Sequence, residues 1–238
     1  MLIEKDSCSG CGLCLWYCPG GAISLKDKKA EIDKELCLEC YVCLKVTDCP
    51  KGAIKEDPMA YEFPRSVRTY FSDPMAYHKD TLVPGRGTEE VKTNDVTNRV
   101  KDGEVGVCIE MGRPCCGSSF TDVEKVTMAL AGAGIKFEQE NPLTYLMEDK
   151  EKGTIKEDVK KQRVVSAIVE FTISQSELKR IVSKIQEIEK ELDTVFSLGM
   201  ITTLEEDGSI PIKETLDELG LEYRPNAKIN LGLGRRIS

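Results

Sequence analysis

The chain has 238 residues, 40% apolar and 31% charged, with 33 Lys and Arg against 41 Asp and Glu and a net charge of −8. That balance fits a folded globular chain and speaks against wholesale disorder. The acidic surplus repels phosphate backbones, so no nucleic acid is expected as a partner, and no run of about 18 apolar residues offers a membrane span. The opening Met1–Asp6 carries no apolar secretion core, and the expected location is cytoplasmic.

Eleven cysteines without a secretion signal, eight of them in tight runs, point to metal rather than disulfides. The first run is Cys8-Ser-Gly-Cys11-Gly-Leu-Cys14-Leu-Trp-Tyr-Cys18-Pro19. The second is Cys37-Leu-Glu-Cys40-Tyr-Val-Cys43, then five residues, then Cys49-Pro50. Each is followed by the same tail, Pro19-Gly20-Gly21-Ala22-Ile23 and Pro50-Lys51-Gly52-Ala53-Ile54, an internal repeat of roughly 30 residues. A zinc site needs neither the third nor the fourth cysteine of each run, so zinc is disfavoured.

The double C-x2-C-x2-C…C-P pattern resembles the bacterial two-cluster ferredoxins over residues 1–57. The resemblance implies two [4Fe–4S] clusters with crossed ligation, because the fourth cysteine of each run serves the other cluster. Cluster I would take Cys8, Cys11, Cys14 and Cys49, and cluster II would take Cys37, Cys40, Cys43 and Cys18. The second run departs from the pattern, with Leu44–Asp48 where three residues are usual. That insertion is expected to alter the exposure of cluster I. Trp16, Tyr17 and Tyr41 are expected to shield the clusters from water. Residues 22–25 and 29–32 alternate as a short hairpin.

Residues 58–102 contain Pro58, Pro64, Pro74 and Pro84 with little periodicity, and are expected to form an extended, ordered arm. Its Pro84-Gly85-Arg86-Gly87 stretch could form an anion nest or an ordinary turn, and His78, the single histidine, reads as a surface residue.

Residues 103–204 show regular periodicity. Glu104–Met111 alternates as a strand, and Thr121 or Asp122 caps a helix ending near Gly132 or Gly134. Ile135–Glu138 and Leu143–Met147 suggest a second strand or strand pair, and Val164–Ile173 a third. Ser174 or Ser176 caps a helix with a stripe at Leu178, Ile181, Val182, Ile185, Ile188 and Leu192, and Thr194–Leu204 is a fourth strand. This β-α-β-β-α-β order makes the fold class α+β, with an N-terminal ferredoxin domain and a C-terminal split βαβ sandwich. The latter resembles ACT-like or NIL-like domains and could pair edge to edge as a homodimer. The tail, 205–238, carries a short helix at Ile212–Leu219 and a basic end at Lys228, Arg235 and Arg236.

Three cysteines remain. Cys108 lies mid-strand and is expected in the core. Cys115 and Cys116 sit in a Gly112/Pro114/Gly117 loop before a helix, a setting that lowers a thiol's pKa, or are simply small loop residues. Three functions stay open: an electron-transfer subunit serving a dedicated redox enzyme, a component of a reductive or sulfur-transfer enzyme using Cys115 and Cys116, or a regulator sensing ligand or redox state.

Overall fold

The computed structural model describes residues 1–77, 99–114 and 116–223. The N-terminal module begins with β1 (Leu2–Ile3) and closes with β4 (Ile54–Lys55), which pair antiparallel so that both ends of the repeat meet. Between them β2 (Ile23–Lys26) and β3 (Lys29–Ile32) form the expected hairpin. Its turn residues Asp27 and Lys28 both have positive φ, as the tight two-residue turn matched to strand twist requires. The module core is small: Ala22, Ile23, Ala30, Ile32, Tyr41, Ala53 and Ile54, together with the cysteines.

The five residues between Cys43 and Cys49 extend a helical turn. Leu13–Tyr17 of the first half is a 3-10 turn, whereas its counterpart in the second half is α1 (Val42–Val46). Lys45 on α1 forms an ion pair of 2.9 Å with Asp73. The insertion thereby contacts the segment that follows the module.

That segment is not the extended arm expected. Pro58 opens a 3-10 turn capped by Asp57, and α2 (Ser66–Ser72) lies between Pro64 and Pro74. The prolines bound helical turns here instead of stiffening an extended chain. Val67, Tyr70 and Phe71 make an i, i+3, i+4 stripe that packs into the C-terminal core, where Phe71 meets Phe120 edge-on at 5.3 Å. The segment around Pro84–Gly87, with Arg86, and His78 lie outside the described residues.

The C-terminal domain centres on β5 (Glu104–Met111). The minor pair β6 (Ser118–Ser119) leads into α3 (Phe120–Gly132), capped by Ser119 rather than Thr121 or Asp122. β7 (Met147–Asp149) pairs with β8 (Thr154–Ile155), and β9 (Arg163–Val164) pairs with β6. β10 (Ala167–Ser174), α4 (Leu178–Ile188) and β11 (Phe196–Ile201) follow, and α5 (Lys213–Glu218) lies in the tail. The sheet order is β10-β5-β11, antiparallel throughout. Val105, Val107, Ile109 and Met111 of β5 are fully buried against Val123, Val126 and Leu130 of α3 and Leu178, Ile181 and Ile185 of α4, so both helices cover one face.

Three expectations change. The strand expected at Ile135–Glu138 is reduced to one bridge, Phe137 with Phe171, and Leu143–Met147 is mostly a 3-10 turn. Asn141 causes this: its side chain accepts from Leu143 N and donates to buried Glu170, turning the chain before a second strand can form. The third strand starts at Ala167 instead of Val164, because the amides of Val165 and Ser166 donate to Ser72 Oγ and Phe71 O of α2. Cys108 is half-buried on the sheet face opposite the helices, since strand alternation sends it away from its buried neighbours Val107 and Ile109. No described helix is long and apolar enough to cross a membrane.

Candidate iron–sulfur centre

The cysteines gather in two groups, each drawing on both halves of the repeat. Cys18, from the first half, lines one cavity with Cys37, Cys40 and Cys43 from the second. The space among them is walled also by Tyr17, Ile23, Ile32, Leu38 and Tyr41. Burial pushes the Cys43 thiol up to about 12, reinforced by the charges of Cys40, Cys37 and Cys18. The second group is drawn together likewise: burial raises the Cys14 pKa, and Cys8, Cys11 and Cys49 add to it. Thiols that repel one another when ionised are stabilised as thiolates by iron. Among the described residues, no three Cys, His, Asp or Glu side chains converge as they would on one bare ion. The four thiols of the first group line one cavity, an arrangement compatible with a multi-atom cluster.

Backbone amides point at the sulfurs in matching places. Ala22 N donates to Cys18 Sγ at 3.1 Å, and Ala53 N donates to Cys49 Sγ at 3.4 Å. Gly10 N and Ala30 N both donate to Cys8 Sγ at 3.4 Å. Such amides stabilise negative sulfur and help to set a cluster's potential. The donor set therefore fits two thiolate-bound clusters.

A charged lattice surrounds the second half. Glu39, wholly buried between Cys37 and Cys40, accepts from the Met1 ammonium at 2.5 Å and from Arg65 of the chain leading into α2. Its burial favours the neutral acid, but the ammonium and Arg65 outweigh this and hold its pKa below the ordinary value. Arg65 also pairs with Asp57 at 3.0 Å, and Lys34 reaches Asp57 at 2.5 Å. The Lys34 hydrogen bond leads the causes that bring Asp57 down to about 2. Arg68 of α2 is 3% exposed. It donates to the carbonyls of Lys34 at 2.7 Å and Cys37 at 2.6 Å, and through Nε to Gln162 of the C-terminal domain at 2.7 Å.

The aromatic expectation fails for Trp16. Tyr41 is buried in the cavity wall and the partly exposed Tyr17 lines the same cavity, whereas Trp16 is 89% exposed. The 3-10 turn that aims Cys14 inward leaves Trp16 facing solvent. Cys116 is exposed, its Sγ donating to Pro114 O, while Cys115 lies outside the described residues. The Cys116 loop reaches the module: a Cβ built on Gly117 would stand 3.3 Å from Leu38. Sequence reading passed over Glu39, Arg65 and Arg68. One visible signal was Glu39, a charged residue where the first run has Gly10.

Residues 7–59 match the 4Fe-4S dicluster domain family. An uncharacterized ferredoxin-like protein of Haemophilus influenzae is 36% identical over 88 residues, which cover 34% of this chain and 98% of that protein. The chain belongs to the ferredoxin-like 4Fe–4S dicluster proteins. As a member it takes two [4Fe–4S] clusters in its N-terminal module, and such clusters give it a general electron-transfer role. Pyruvate synthase subunit PorD of Methanothermobacter marburgensis is 42% identical over 53 residues, 22% of this chain and 59% of PorD. Adenylylsulfate reductase subunit beta of Megalodesulfovibrio gigas is 28% identical over 97 residues, 37% of this chain and 49% of that subunit. The chain thus spans about half the length of these two subunits, and no solved structure matches it.

Proposed function

We propose that this dicluster protein passes single low-potential electrons to a dedicated partner oxidoreductase. In this reading Cys8, Cys11, Cys14 and Cys49 hold one cluster, and Cys37, Cys40, Cys43 and Cys18 hold the other. The carrying observation is that Cys18 shares a cavity with three thiols from the opposite half of the repeat. A subunit role is supported by PorD and the adenylylsulfate reductase beta subunit, whose names mark them as parts of larger enzymes. The C-terminal domain is read as a split βαβ unit whose second strand has shrunk to the Phe137 bridge, supported by the sheet order and the shared helix face. Its terminal strand β11 is the edge that a homodimer would use, and the mass in solution tests that.

Paired substitutions test the ligand sets. With both cysteines of a pair in one cluster, Cys18→Ala with Cys37→Ala leaves about four irons per chain, whereas Cys18→Ala with Cys8→Ala leaves almost none. The reverse pattern would mean that each run holds its own cluster. Anaerobic wild-type protein without about eight irons would end the two-cluster reading altogether.

One observation favours a second reading, a component of a reductive enzyme: the loop bearing exposed Cys116 packs on Leu38, itself in the cavity wall. A Cys116→Ser variant that keeps both clusters but loses partner-dependent turnover would support it.

A further inference from the structure

α2 packs between the module and the C-terminal domain, and the one charged residue on that helix is Arg68. Its guanidinium is nearly inaccessible, and its hydrogen-bond acceptors are two carbonyls and a carboxamide rather than a carboxylate. Glu35 and Glu39 lie close enough to be felt by it, but Glu39 is already engaged by Arg65 and the Met1 ammonium. A cation buried with neutral acceptors is costly unless negative charge lies nearby. The carbonyl that receives Arg68 belongs to Cys37, one of the four thiols around the cavity.

The first half has a counterpart. Lys29 donates to the carbonyl of Cys8 at 2.5 Å. Each run thus has a cation on the carbonyl of its first cysteine. The two differ in origin and setting: Lys29 comes from the module's own hairpin and is partly open to water, whereas Arg68 comes from outside the module and is sealed beneath the C-terminal domain.

We infer that Arg68 sets the reduction potential of the cluster bound by the second half, and so makes that potential depend on how the C-terminal domain seats α2. This rests on the two-cluster reading above. Reduction adds one negative charge to an already anionic cluster. A fixed cation stabilises the reduced form more than the oxidised one, and low dielectric surroundings strengthen the effect. Water screens Lys29 and weakens its influence on the other cluster. Arg68 is a positioning residue in this scheme. It touches a ligand's backbone and carries no electron.

The test is an anaerobic redox titration of the full chain followed by EPR, with iron counted on each variant. Arg68→Met should move one of the two midpoints to more negative potential and leave the other in place, while Arg68→Lys, which keeps the charge, should restore most of the shift. Gln162→Glu provides a route that leaves the module's sequence intact: it puts a carboxylate on the guanidinium, and it should move the same midpoint in the same direction. Lys29→Met should move the other midpoint, by less, which assigns the two steps. Unshifted midpoints in both Arg68→Met and Gln162→Glu would overturn the inference, as would equal shifts of both steps. If Arg68→Met fails to hold two clusters, Gln162→Glu alone decides. Wild-type protein lacking two reducible clusters would instead sink the proposed function.

Discussion

The two halves of the repeat carry one motif in opposite surroundings. In the first, Gly10 and Gly12 take positive φ of 71° and 74°, and the loop around Cys11 lies open to solvent. In the second, the same positions are Glu39 and Tyr41 at 51° and 60°, and both side chains are buried. A left-handed non-glycine residue costs about 1–2 kcal/mol. The second half therefore carries strain that the first avoids, offset by an ion-paired carboxylate and a buried ring. The spacing of cysteines dictates where thiols can sit. The residues between them decide whether a cluster meets solvent or the rest of the chain, and here the second half is wired through Arg65, Arg68 and Lys45 to α2.

The sharpest way to break this contrast is Arg65→Met. It takes one partner from the buried Glu39 carboxylate and leaves the Met1 ammonium as the other. Losing one member of a buried pair costs 3–5 kcal/mol, and the surviving ammonium argues for the lower end, about 3 kcal/mol. Anaerobic denaturant titration measures it, and a change below about 1 kcal/mol would mean that the lattice contributes little. In the first half the corresponding blow is Gly10→Ala. A Cβ there would stand 1.9 Å from Lys28 O, so the hairpin backbone must move, at a cost of about 2 kcal/mol or more. Iron should be lost from one cluster while the other remains.

Acid sharpens the comparison more gently. Asp57 is held down to about 2 by Lys34 and Arg65, against about 3.9 in an unfolded chain. A depressed folded value means that its stabilisation is complete above about pH 5 and is lost as the pH falls from about 4 through about 2. The effect is on the order of 1 kcal/mol after screening. Asp57→Asn should flatten that part of the pH–stability profile. An unchanged profile would show that acid acts elsewhere.

What could be read in advance followed from strong local patterns. Cysteine spacing drew attention to eight thiols that the fold gathers in two groups, and period-2 and period-3.6 patterns located β5, α3 and α4 to within a few residues. What escaped depended on long-range partners. Residues 66–72 hold only two helical turns framed by prolines, and their stripe of Val67, Tyr70 and Phe71 acquires meaning only once Phe120 is opposite. Val165 and Ser166 look like strand, but their amides are taken by Ser72 and Phe71, far away in sequence. Trp16 sits among cysteines in the sequence, yet the tight 3-10 turn rotates it outward.

Gly12→Ala gives an effect as small as that of Asp57→Asn and isolates one cause. Gly12 shares the left-handed backbone of Gly10, but a Cβ there meets only Leu25 Cδ1 at 3.6 Å, an ordinary contact. Only the conformational term remains, about 1 kcal/mol. The difference between the two alanine variants therefore measures how closely the Lys28 carbonyl approaches the first cysteine loop. Tyr41 occupies the matching backbone position in the second half, which shows that the position itself tolerates a side chain when there is room. If Gly12→Ala proved as damaging as Gly10→Ala in anaerobic melting, crowding by Lys28 would not be what demands glycine in the first half.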